Sequence, residues 1–142
     1  MLRGVFDAAG EYTPGELHSQ YEALLRETIG TVGQSAVADE SGVDEQRVKA
    51  VADGDSPELT LEEAAAILAT DPARPDTESI VAEARDILLL GMSTAVLDVE
   101  AIAAGIDDEM DPKEIQQKVE GRYPMTLAEY AVLHQYIERE KP

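Results

Sequence analysis

Two short stretches constrain this chain more than any other feature: Pro57-Glu58-Leu59-Thr60-Leu61-Glu62-Glu63 and Pro124-Met125-Thr126-Leu127-Ala128-Glu129. In the first, Thr60 and Glu63 form a capping box. The threonine oxygen and the glutamate three residues on each satisfy a backbone N–H that a helix start leaves unpaired. The second parallels it, and each runs into an apolar helical pattern. No convincing run of strict apolar alternation, the mark of a half-buried strand, occurs anywhere in the chain. A chain that repeats one helix start in this way is expected to be all-α.

The remaining helix signals fall into the same two halves. Thr13-Pro14-Gly15-Glu16 is a capping box with proline at the first helical position. Leu17, Tyr21, Leu24, Leu25 and Thr28 then share a face, and Gly30 offers a stop. A short helix over 34–40, a turn at Ser41-Gly42-Val43 and an Asp44-capped helix over 45–52 lead to Gly54. The helix opened by Thr60 turns Leu61, Ala64, Ala65 and Leu68 inward. After Asp71-Pro72-Ala73-Arg74-Pro75-Asp76 the pattern restarts at Thr77, with Ile80, Val81, Ala84, Ile87 and Leu88 on one face and a stop at Gly91. A helix over 94–104 turns at Gly105-Ile106. Asp111-Pro112-Lys113-Glu114 reads as a further capping box, its helix ending near Gly121, and the last helix ends near Glu138. Gly30, Gly42 and Gly54 thus match Gly91, Gly105 and Gly121. The expectation is about eight helices in two modules, 1–70 and 77–142, joined by a linker at 71–76 and packed as a pseudo-repeat. Leu89 and Leu90 widen one apolar face and are expected to lie buried between the modules.

Composition limits what such a fold can do. Thirty acidic residues against 11 basic ones give the 142-residue chain a formal charge of −19. There is no cysteine, which excludes disulfides, thiolate metal sites and a cysteine nucleophile. Without tryptophan and with Phe6 and five tyrosines as its aromatics, the core must be built from Ala, Val, Leu and Ile. The first residues lack the apolar core of a signal peptide. The longest apolar stretch, 87–90, is far short of the roughly 20 residues that span a bilayer. A cytoplasmic protein without a membrane contact is expected. The acid-rich, lysine-poor pattern resembles proteins of salt-in halophilic archaea, where a Debye length of about 3 Å at 1 M salt quenches carboxylate repulsion. Folding is therefore expected to depend on salt.

From Gln34 to Ala69 the order of short helix, Ser41-Gly42-Val43, second helix with inward Val48 and Val51, Gly54, Pro57 and Thr60-Leu61 resembles the repressor-type helix-turn-helix family, the lambda repressor and Cro class. The second half, from Thr94 to Ile137, resembles it more loosely, with an elongated turn. The whole chain also resembles a family of small uncharacterised haloarchaeal proteins with a "PKEIQQKVEGRYPMTLAEY"-type segment. The first resemblance implies that the helix after the turn enters the major groove. It would set Glu45, Gln46 and Lys49 at the bases, Gln46 suited to adenine, and Arg47 towards the backbone. The stretch 44–55 carries two cations and four carboxylates, however, and a phosphate backbone rewards cations. In the second half the balance reverses. Every ten-residue window of net positive charge lies between Lys113 and Leu127. There Lys113, Gln116, Gln117 and Glu120 recur opposite Ile115 and Val119, and Arg122 and Tyr123 follow. These residues mark a face for a protein partner or for DNA.

Other signals fail on inspection. A calcium loop counted from Asp107 needs glycine at its sixth position and glutamate at its twelfth, where Pro112 and Lys118 stand. One counted from Asp53 meets Ala64 at its twelfth position. His18 and His134 lie on different terminal helices, and His134 suits a packing role. No glycine-rich phosphate loop and no nucleophile elbow occurs. The sequence thus points to a non-enzymatic regulatory or adaptor protein without a cofactor, working mainly through protein contacts. A DNA-binding regulator active at high salt is the alternative.

Overall fold

The computed structural model describes residues 8–142. A 3-10 turn at Ala9–Glu11 precedes α1 (Pro14–Val32), α2 (Gln34–Ser41), α3 (Glu45–Ala52) and α4 (Leu61–Leu68). Then come α5 (Thr77–Ala95), α6 (Val99–Gly105), α7 (Pro112–Val119) and α8 (Leu127–Glu140). No strand occurs among the described residues. The chain is all-α, with eight α-helices among the described residues in two sets of four that share one order: a long helix, two short ones and a closing one.

The two sets meet about a local two-fold. The Leu61 N–H donates to the Met125 carbonyl at 2.7 Å, and the Leu127 N–H donates to the Leu59 carbonyl at 2.8 Å. Thr60 and Thr126 therefore face each other as an antiparallel bridge. Each also caps its helix through a reciprocal box with Glu63 or Glu129. The two stretches that defined the repeat in the sequence are thus the contact between its copies. Around this contact α1 packs on α8 and α4 packs on α5, so each long helix is covered by the closing helix of the other set. Leu17, Tyr21 and Leu25 of α1 and Ile80, Ala84 and Leu88 of α5 occupy matching positions in two 19-residue helices, and all six are buried. Each fully buried aliphatic side chain contributes about 1.5–3 kcal/mol by leaving water. The buried residues form one continuous cluster.

An aromatic layer closes the centre. Tyr130 is fully buried, its hydroxyl donating to the Ala84 carbonyl at 3.0 Å. Tyr21 and His134 stack with their rings 5° from parallel, and the Tyr21 hydroxyl bonds His134 Nδ1. Burial raises the Tyr21 pKa and keeps its hydroxyl protonated. It therefore donates to Nδ1 and leaves the imidazole proton on Nε2, which faces Glu138 at 3.8 Å. The packing role expected of His134 is the one it has.

Four local expectations need correction. Gly30 and Gly91 are not stops: α1 runs on to Val32 and α5 to Ala95. The helix expected over 94–104 consequently begins at Val99. The backbone turns left-handed at Gly33 (φ 104) and Val96 (φ 56), so these two are the matched ends. Gly91 is instead a close-approach site, where a Cβ would lie 2.6 Å from Ile137 Cγ2. Gly105 likewise admits the Tyr136 ring, and the counterpart of the left-handed Gly42 falls at Asp107 and Asp108 (φ 57 and 58). The Asp111 box forms only its first half. Asp111 accepts from the Glu114 N–H at 2.7 Å, while the Glu114 carboxylate turns to Lys118. Finally, Leu89 and Leu90 are 43% and 58% exposed, not buried between the modules. The single buried stripe of α5 is already filled by Ile80, Ala84, Ile87 and Leu88.

Candidate functional site

The short helices α3 and α7 lie at equivalent places, each packed against the helix before it. Asp44 starts α3 by accepting from the Gln46 N–H at 2.7 Å, and Val48 and Val51 are buried. Asp111 starts α7 in the same way, and Ile115 and Val119 are buried. With those positions held inward, the second and fifth residues of each helix point out. In α3 these are Gln46 and Lys49; in α7 they are Lys113 and Gln116, all four exposed. Both helices therefore present one lysine and one glutamine, three residues apart on one face, with the two types exchanged. Gln117 is half-buried beside that face.

The other cations are engaged internally. Arg47, expected at a phosphate backbone, turns to α4. Its two terminal nitrogens donate to Glu63 at 2.6 and 2.8 Å, and one also reaches the Glu58 carbonyl at 2.6 Å. A planar guanidinium matches a carboxylate in this bidentate way, and charge assistance strengthens both bonds. Bonding to Arg47 holds the Glu63 carboxyl down at about 2, and the same bond raises the Arg47 pKa. Glu63 is at once a helix cap and a counter-ion.

The second module reaches the same result from another position. Lys118, near the end of α7, sits between Glu114 at 2.7 Å and the capping-box Glu129 at 2.5 Å. Burial alone would lower its pKa, but the hydrogen bonds it donates to the two carboxylates outweigh that and raise it. Glu120 draws together two of the residues singled out in the sequence. It accepts from Gln116 at 3.3 Å and pairs with Arg122 at 3.2 Å, both exposed. Tyr123 is 56% exposed beside them. Lys113 and Lys49 make no ion pair among the described residues. The arrangement thus brings Lys113, Gln116, Glu120 and Arg122 together on α7 and its exit. It removes Arg47 from the α3 face, leaving Gln46 and Lys49. The pairing of Arg47 had a sequence signal that went unread: Glu63 is the third residue of a capping box, a fixed carboxylate at a helix start.

No group of three or more metal-ligating side chains occurs among the described residues, and no single described helix is long and apolar enough to cross a membrane. The sequence model of a family described as "Family of unknown function (DUF5791)" matches residues 17–140. No curated protein and no solved structure matches the chain.

Proposed function

We propose, for a chain that belongs to this family of unknown function, the role of a non-enzymatic regulatory or adaptor protein that makes its contacts with protein partners through the α7 face. One observation supports the reading above all. Three of the five cations on the short helices and the exit of α7 are matched to carboxylates of their own module: Arg47 to Glu63, Lys118 to Glu114 and Glu129, and Arg122 to Glu120. Few are left to neutralise phosphates, and the electrostatic term that dominates binding to DNA scales with the number neutralised. The face that remains, Lys113, Gln116, Gln117 and Arg122 with Tyr123, is amide-rich and mixed in charge, a composition suited to a polar protein contact.

The alternative is a DNA-binding regulator working at high salt, built on a degenerate tandem helix-turn-helix scaffold. It is favoured by the matched pairs, Gln46 with Lys49 and Lys113 with Gln116, since glutamine reads adenine and lysine reads guanine in the major groove. Affinity purification of the tagged chain from its source cells at native salt, recovering both protein and DNA, separates the two. The expected result is a defined protein partner, lost in the Lys113→Glu/Arg122→Glu variant, with no enriched DNA. Enrichment of discrete DNA sites, abolished in that variant, would replace the adaptor reading with the regulator.

A further inference from the structure

The end of α5 is unlike its two-fold counterpart in a way the fold does not require. Counting back from the left-handed cap of each long helix, Leu89 and Leu90 stand where α1 has Arg26 and Glu27, and Val96 stands where α1 has Gly33. Leu17, Tyr21, Leu25 and Thr28 match Ile80, Ala84, Leu88 and Gly91 as buried positions of the two helices, whereas Leu89, Leu90 and Val96 are exposed. Val96 is 88% exposed, and a β-branched residue at φ 56 is strained by about 1–2 kcal/mol relative to glycine. Strain of this kind persists where something other than stability retains it. From Ile87 to Leu97 the chain carries no charge, although it is heavily acidic elsewhere. Leu89, Met92, Ser93, Val96, Leu97 and Asp98 line an open groove of about 560 Å³, with Leu90 beside it.

Charge decides what fits this groove. Asp86 lies one helical turn before Leu89, Asp98 lines the far end, and Glu100 follows; all three are exposed. The cations bordering this part of α5, Arg85 and Lys141, are held by Glu62 and Glu138, each at 2.8 Å. An apolar floor between two acidic ends is complementary to an apolar segment with cations at both ends. A second copy of this chain is disfavoured, because a two-fold pairing of antiparallel α5 helices sets Asp86 of one copy against Asp98 of the other. We propose that this groove is a docking site for an amphipathic helical segment of a partner protein, its leucine-like side chains seated on Leu89, Met92 and Val96 and its lysines or arginines facing Asp86 and Asp98. It is a different surface from the α7 face and does not rest on the role assigned to that face.

The test uses a synthetic helical peptide of about 15 residues, spanning about 22 Å, with leucines at i, i+3, i+4 and i+7 and lysines at both ends. A twin carries glutamates at the ends. Binding to the full chain is followed by fluorescence anisotropy at the lowest salt at which circular dichroism shows the chain folded, so that screening does not mask the terminal charges. The lysine peptide is expected to bind wild type and to lose about tenfold or more in affinity for Leu89→Ser/Val96→Gly. It should bind Lys113→Glu/Arg122→Glu as it binds wild type, and the glutamate twin should be weaker by about tenfold or more. Val96→Asn is the second variant, since asparagine tolerates the left-handed conformation and keeps the backbone; it should lose affinity in the same direction. Equal affinity of wild type and both groove variants, or of the two peptides, overturns the proposal. So does a dimer in sedimentation that the groove variants dissolve, which would give the groove to a second copy. Flotation of wild type, but not of the variants, with phosphatidylcholine vesicles would give it to lipid and overturn the proposal equally.

Discussion

Protonating His134 places a charge in the aromatic layer, where Glu138 favours it and Lys141 opposes it. Burial is the main reason its pKa is lowered to about 4. The unfolded chain takes the same proton near 6.5. Stability from the neutral imidazole is therefore complete above about pH 6.5 and lost as pH falls to about 4. The difference in proton affinity corresponds to about 3 kcal/mol. Urea unfolding at pH 7.5 and pH 4.5 should show a loss of this order in wild type and a clearly smaller one in His134→Leu. An equal loss in both would assign the pH dependence to the carboxylates. The Arg47–Glu63 pair also loses its contribution on acidification, in a lower window. Its carboxylate is depressed to about 2, so its contribution is present above about pH 4.5 and lost below. Arg47→Ala should cost about 1 kcal/mol, the scale of a half-exposed pair with bidentate geometry. It should also raise the Glu63 titration, followed by carboxyl NMR, towards the ordinary carboxylate range, with the Thr60 capping bonds still holding it down in part. At this scale the sequence was half legible. It showed that His134 packs and that Glu63 caps. It did not show that Tyr21, 113 positions away, is the hydrogen-bond partner of His134, because that contact depends on how the modules dock.

Helix ends were less legible than helix faces. Inward residues follow the 3.6-residue period and could be read directly, as with Leu61, Ala64, Ala65 and Leu68. Ends were assigned from glycines, and Gly91 and Gly105 are glycine because α8 passes too close for a side chain. The true end of α5 is marked by Val96, a residue that no rule of helix termination selects. It leads to a prediction at this scale. Val96→Gly should stabilise the isolated chain by about 0.5–1 kcal/mol: relief of the left-handed valine exceeds the added freedom of glycine in the unfolded state. Little burial is lost from a side chain this exposed. Urea midpoints of the two proteins would show it, and a destabilised variant would mean that the valine contributes packing not apparent from its exposure.

The whole molecule carries a charge of −19. Its all-α class and helix number could be read from the chain because they rest on local signals: capping boxes, periodicity and punctuation. How the copies meet could not, since nothing local states that Thr60 faces Thr126. Charge at this scale predicts salt dependence. With the Debye length reduced from about 10 Å at 0.1 M to about 3 Å at 1 M, self-repulsion is screened. The thermal midpoint should rise by about 5 °C between 0.1 M and 2 M KCl, a shift on the order of 1–2 kcal/mol. An unchanged midpoint in circular dichroism would remove the case for adaptation to salt. The docking of α1 on α8 has a further consequence, in time rather than in energy. A ribosome adds about 5–20 residues per second, so roughly ten seconds separate the synthesis of Tyr21 from that of His134. Throughout that interval Leu17, Tyr21 and Leu25 have no α8 to cover them. For each newly made molecule, the first long helix must wait for the last, and its apolar face is open to other chains until α8 arrives.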